Sequence, residues 1–338
     1  MEEPKINLEN PEITRRELLK IFGTLGLGLA LPASVYAVQF TRNGTREAQQ
    51  PIGIHRLNIR HRLIPPEFDG RKIFQLADPH FSNNTYLGQK LRRESDAQRI
   101  KEIIEVEYSP NDLFVFLGDS IPEQVTKDEN DLVELGKACA IFQGLNLTKI
   151  FTLGNHEYAV GKSVRSAILE IIQGTGFTIL RDERIAWEVG NSKLPVFGTE
   201  DWQFGNPSLE RMRAWRKEFR NEFGIILTHN ADWLETTPRL IEELKIALVL
   251  SGHTHGGMIE KEILARLALL TIHYQSEHFR GVKNYGDLTH NISNGAGHEF
   301  PLRDEVPPEI SVITLHSAAG FFGRILQLGV KIITKFSE

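Results

Sequence analysis

Short apolar runs alternate with longer stretches of helical period through the middle of the chain. Ile73 to Ala77, Leu113 to Leu117 and Ile150 to Leu153 are compact, apolar and bounded by Gly, Asp or Asn, the pattern of buried strands. Between the first two, Leu91, Ala97, Ile100, Ile104 and Tyr108 recur at helical spacing. Between the second and third, Leu132, Leu135, Ala138, Ile141 and Phe142 do the same. This strand, helix, strand, helix, strand order predicts parallel strands joined by right-handed crossovers. Further strands are predicted at Phe177 to Leu180, Ile185 to Val189, Pro195 to Phe197, Ile225 to Leu227 and Ala247 to Leu250. Residues 51 to 315 therefore read as one α/β domain with two layers of sheet between helices.

The residues at the ends of the apolar runs carry the chemistry. The first three runs end in Asp78-Pro79-His80, in Gly118-Asp119 and in Gly154-Asn155-His156-Glu157. Two later ones end in Thr228-His229-Asn230 and in Ser251-Gly252-His253-Thr254-His255-Gly256-Gly257. Five strands thus deliver Asp, Asn or His at their C-terminal ends, the edge where α/β sheets hold ligands. Taken singly, an Asp or Asn after a strand is a turn former or helix cap, and a lone His is core or surface. Five on one edge point to a site. Asp78, His80, Asp119, Asn155, His229, His253 and His255 offer only oxygen and nitrogen donors, a set suited to Mn, Fe, Zn or Mg. Seven ligands are too many for one tetrahedral ion and match two divalent ions sharing a carboxylate.

Composition narrows the classes. With 41% apolar residues and a formal charge of −5, the chain is globular, and a broad basic face for a nucleic-acid polymer is not expected. The single cysteine, Cys139, excludes an intrachain disulfide and a Cys-based zinc knuckle. Near the N-terminus, Arg15-Arg16 precedes an uncharged stretch from Ile21 to Thr41, which resembles a twin-arginine export signal. Val35-Tyr36-Ala37 offers a cleavage point. Residues 1–37 are expected to be such a signal or a membrane anchor, followed by a linker over 38–50. The flanking cations favour an extracytoplasmic body; an anchored protein with a cytoplasmic catalytic domain is the alternative. At the other end, residues 316–338 set Arg324, Gln327, Lys331 and Lys335 against Phe322, Ile325, Leu326, Ile333 and Phe336. This predicts a basic amphipathic helix that docks on the protein's own core or lies on a membrane surface. His273, His278, His290 and His298 read as core or surface histidines.

In order along the chain, the five blocks resemble the D-x-H, GD, GNH-[DE], H and G-H-x-H pattern of calcineurin-like metallophosphoesterases. Within that family the chain is similar to exported bacterial phosphodiesterases and to UDP-2,3-diacylglucosamine pyrophosphatases. The resemblance implies a four-layer α/β/β/α sandwich of two mixed sheets flanked by helices. It also implies that Asp78, His80, Asp119 and His255 hold one ion while Asp119, Asn155, His229 and His253 hold the other. His156 would stand beside the ions without ligating, oriented by Glu157, to serve the leaving oxygen. Two divalent ions, two carboxylates and a bridging hydroxide leave a centre of about +1, attractive to a phosphodiester. The expected activity is hydrolysis of a P–O bond by in-line attack of that hydroxide, on a phosphoester that is lipid-linked or nucleotide-like. A UDP-2,3-diacylglucosamine pyrophosphatase and a non-catalytic metal-binding envelope protein are the alternatives. Departures from the family pattern are Pro79, Glu157 in place of Asp, and Asn294-Gly295 where relatives often carry Arg-Gly.

Overall fold

The computed structural model describes residues 50–83, 85–86, 89–90, 92–122, 129–231, 233–257, 280–297, 303 and 306–318. The expected signal or anchor, and all but the first residues of the C-terminal amphipathic segment, lie outside these, as do His273, His278 and His298. Among the described residues no helix is long and apolar enough to cross a membrane.

The strands are β1 (Gly53–His61), β2 (Lys72–Leu76), β3 (Thr85–Tyr86), β4 (Gln89–Lys90), β5 (Leu113–Leu117), β6 (Thr148–Thr152), β7 (Thr178–Leu180), β8 (Glu183–Val189), β9 (Ser192–Gly198), β10 (Ile225–Leu227), β11 (Leu248–Ser251), β12 (Gly281–Tyr285), β13 (Leu288–Ile292) and β14 (Glu309–Ser317). The helices are α1 (Glu94–Glu107), α2 (Glu129–Gln143), α3 (Asn155–Ala159), α4 (Lys162–Gly174), α5 (Leu209–Glu218), α6 (Trp233–Thr236) and α7 (Pro238–Leu244). One mixed sheet runs β1-β14-β2-β5-β6-β7 and the other β12-β13-β11-β10-β9-β8, with β3-β4 as a small ribbon. Strands β2, β5, β6 and β7 are mutually parallel, as are β13, β11, β10 and β9. Antiparallel neighbours are β14 beside β2, β12 beside β13 and β8 beside β9.

The period-two rule of a strand sorts the central residues between layers. Phe74, Leu76, Phe114 and Phe116 pack outward against α1, α2 and α4, together with Ile100, Leu135, Phe142 and Ile168. Their alternates Ile73, Leu113, Val115 and Leu117 face Ile225, Leu227, Leu248 and Leu250 across the middle of the molecule. On the far side, Phe197, Ile226 and Val249 meet Met212, Trp215, Leu240 and Leu244. Three apolar layers between two sheets and two helical faces make the α/β/β/α sandwich. Strand β5 is buried on both faces, which is why it reads as an unbroken apolar run rather than an alternating one.

Every predicted strand is present, with ends shifted by a few residues. β1, β12, β13, β14 and the short pair β3 and β4 are not among the predicted strands. β1 (GIHRLNIRH) interleaves charged residues because it forms a sheet edge. β14 pairs Ser311 with Gln75, a contact between distant parts of the chain that no local pattern reports. β14 ends at Ser317, inside the stretch expected to form the C-terminal helix.

Trp187 sits between the sheets fully buried, edge-on to Phe68 at 4.9 Å, with Nε1 donating to Asn111 O at 2.7 Å. Trp187→Ala is expected to lower unfolding free energy by about 3–5 kcal/mol in urea denaturation, through the cavity and the orphaned carbonyl. A loss under about 1 kcal/mol would mean the inter-sheet layer collapses around the gap.

Candidate metal centre

The parallel pairings Leu76 with Phe116 and Phe116 with Phe151 bring the loops after β2, β5 and β6 side by side. In the second sheet, Leu227 paired with Leu250 does the same for the loops after β10 and β11. The two edges meet. Asp78 accepts the backbone N–H of His253 on both carboxylate oxygens at 3.0 Å, and His229 Nδ1 lies 2.8 Å from Leu117 O.

All seven expected donors converge here, and all but His253 are buried. Asp78, His80 and His255 each offer an atom within 4.8 Å of the others, as do Asp119, His229 and His253. His80 Nε2 is 3.0 Å from His255 Nε2 and 4.0 Å from Asp119 Oδ2. His229 Nε2 is 2.9 Å from Asn155 Oδ1, 3.1 Å from His253 Nδ1 and 3.3 Å from Asp119 Oδ2. Asp119 therefore stands between the two groups. A third grouping, His80, Asp119 and His156, has the same reach. His156 Nε2 lies 3.6 Å from Asp119 Oδ2, and its backbone N–H donates to Asp119 Oδ1 at 3.0 Å.

The backbone is contorted to achieve this. Eight non-glycine residues of the described chain have positive φ, and five of them are Asp78, His80, Asp119, His253 and His255. Such conformations cost of order 1–3 kcal/mol each and persist where surrounding contacts impose them. Two glycines relieve the crowding. A Cβ on Gly118, itself at φ 73°, would lie 2.6 Å from Gly154 Cα, and one on Gly154 would lie 2.7 Å from Asp119 N.

Glu157 fastens these loops. Its carboxylate accepts N–H from Gly154 (2.7 Å), Asp119 (2.9 Å) and Ser120 (2.7 Å), and the Ser120 hydroxyl at 2.7 Å. Both oxygens are taken up by the loops, so Glu157 holds the segments that carry Asp119 and His156 rather than the imidazole itself. Burial and the nearby Asp119 raise its pKa.

Burial also pushes Asp78 up to about 7, with Asp119 adding to the rise and His229 opposing it. Burial, then neighbouring His156 and His229 respectively, bring His80 and His253 down to about 3. His255 is lowered by burial and His80. The lowering favours the neutral form of these three imidazoles, which carries a ring-nitrogen lone pair. For Asp119 burial acts upward, but His156 and His229 hold it well below the usual carboxylate range. His229 is raised well above 6.5 because Asp119 and Asp78 outweigh its burial. Imidazoles, an amide oxygen and carboxylates crowded together are the donor chemistry of divalent cations, and a bound cation would offset the cost of ionising Asp78.

Two residues escaped the sequence reading. Arg303 is fully buried, donates to Gly295 O at 3.1 Å and reaches to 3.4 Å from His255 Nδ1. It brings a guanidinium to the corner formed by Gly295 and His255. No spacing in the sequence signals it. Asp201 was findable: β9 is a sixth apolar run ending in polar residues, Thr199-Glu200-Asp201, on the same edge. His290 is a core residue of β13, its Nε2 2.7 Å from Ser251 Oγ.

Residues 71–257, more than half of the chain, match the family model for calcineurin-like phosphoesterases. The chain belongs to that family. It is 30% identical over 319 residues to the uncharacterized metallophosphoesterase YkuE of Bacillus subtilis, covering 90% of this chain and 99% of that one. It is 24% identical over 165 residues to the phosphodiesterase YaeI of Escherichia coli, covering 48% and 56%. A crystal structure of a dimetal phosphatase from Danio rerio aligns at a TM-score of 0.45 and 12% identity, over 67% of this chain and 88% of that one.

Glu157→Gln would turn an NH2 group toward backbone N–H donors. A loss of about 1–3 kcal/mol in chemical denaturation is expected for the metal-free protein. An unchanged midpoint would show that the loops do not depend on the carboxylate.

Proposed function

We propose that this protein is a two-metal phosphodiesterase that acts outside the cytoplasm. The observation that carries the reading is the convergence of seven oxygen and nitrogen donors in two groups that share Asp119. Asp78, His80, His255 and Asp119 would hold one divalent cation, and Asp119, Asn155, His229 and His253 the other. When bound, the pair would supply Lewis acidity at the phosphoryl oxygens and lower the pKa of the attacking water.

The chain's own groups have distinct tasks. Asp119 would serve both cations, and Glu157 fixes its position by accepting the backbone N–H groups of Asp119 and Ser120. His156 is buried at the centre's edge beside Asp119 and can protonate or hydrogen-bond the leaving oxygen. The two site carboxylates do not neutralise two dications, so an anionic phosphodiester is attracted to the centre. The diesterase reading is supported by similarity to a relative named as a phosphodiesterase. The extracytoplasmic reading is supported by Arg15-Arg16 ahead of an uncharged stretch.

Metal-stripped protein is expected not to cleave bis(p-nitrophenyl) phosphate and to regain activity with Mn2+. Full activity after stripping would overturn the reading. His156→Ala is expected to lower kcat by about 10²–10⁴-fold with two ions still bound by elemental analysis. Faster turnover of p-nitrophenyl phosphate than of the diester would remove the diesterase assignment, and recovery of the protein in the cytoplasmic fraction would remove the location.

A further inference from the structure

The two donor groups are unequal in charge. The group around His80 and His255 contains Asp78 in addition to the shared Asp119. The group of Asn155, His229 and His253 has the shared Asp119 alone, since its other donors are neutral ligand types. A dication in the second group would be the less neutralised of the two, in a buried setting where that deficit is costly.

A carboxylate lies at hand. Gly198 of β9 is paired with Leu227 of β10, so Thr199-Glu200-Asp201 runs alongside Thr228-His229-Asn230. The two segments are bound together. Thr199 N donates to Leu227 O at 2.9 Å, Thr199 Oγ1 to Thr228 Oγ1 at 3.0 Å, and Trp202 N to Asn230 Oδ1 at 2.8 Å. Asp201 is fully buried. Its Oδ1 caps its own loop by accepting N–H from Gln203 at 3.0 Å and Phe204 at 2.6 Å. Its Oδ2 is buried with no hydrogen-bond partner. A buried carboxylate oxygen left so is expensive unless positive charge stands near it. Its electrostatic neighbours are His229 and Asp119, both members of the underneutralised group.

We propose that Asp201 is a positioning residue for the second cation: without ligating it, its unpaired Oδ2 supplies the negative charge that the Asp119, Asn155, His229 and His253 group lacks. This rests on the two-cation reading above. Asp201 thereby sets the difference in affinity between the two sites.

The test is Mn2+ binding rather than turnover. Full-length protein stripped of metal is titrated with Mn2+, and bound and free ion are separated by equilibrium dialysis. Wild type is expected to take up two ions. Asp201→Asn keeps an oxygen to cap Gln203 and Phe204 but removes the charge; Asp201→Ser does the same with a hydroxyl. In both, one binding step is expected to weaken by roughly 10–100-fold while the other stays within about twofold. The melting temperature of the metal-free variants is expected not to fall, whereas a merely structural role would lower it. Isotherms superimposable on wild type, or equal weakening of both steps, would overturn the proposal and leave the two-cation reading standing. Fewer than two ions on the wild type would overturn both.

Discussion

The structure depends on the abutment of two strand edges that would otherwise repel. Each sheet ends in carboxylates, carbonyls and imidazoles, and these groups are buried where the edges meet. What holds them is a few cross-sheet hydrogen bonds. Asp78 from the first sheet takes the His253 N–H of the second, His229 from the second faces Leu117 O of the first, and Gln75 Nε2 donates to Ser251 O at 2.8 Å below. These contacts set the mutual position of the sheets where the donors meet, and the apolar layer between the sheets supplies the bulk of the cohesion.

Within that frame the loops are over-determined. Glu157 draws three backbone N–H groups onto one carboxylate, and Gly118 and Gly154 allow two loops to pass where a methyl group would not fit. The outcome is preorganisation: Asp119, His156 and His229 are each held by a contact from a neighbouring loop, through the Glu157 carboxylate, Asp119 Oδ1 and Leu117 O respectively.

Much of this was legible in the sequence because burial and chemistry alternate along it. An apolar run ending in Asp, Asn or His states both a strand and what stands at its end, and all five such runs lead to one place. The sixth run is read as a strand at Pro195 to Phe197, but Gly198-Thr199-Glu200 separates it from Asp201, so the acid does not stand directly at its end. β14 was invisible for a different reason: its insertion between β1 and β2 is decided by partners far away in sequence. Arg303 and the part played by Glu157 depend on backbone atoms coming together in space, and residue types alone do not report where backbone N–H groups point.

The left-handed backbone at Asp78, His80, Asp119, His253 and His255 has an evolutionary corollary. Apart from glycine, the residue types that best tolerate that conformation are Asn, Asp and His. These are also the side chains that bring a short, rigid oxygen or nitrogen to a cation, so chain geometry and coordination chemistry select from one small alphabet. A descendant could trade one such letter for another, losing or retuning its chemistry, and still fold.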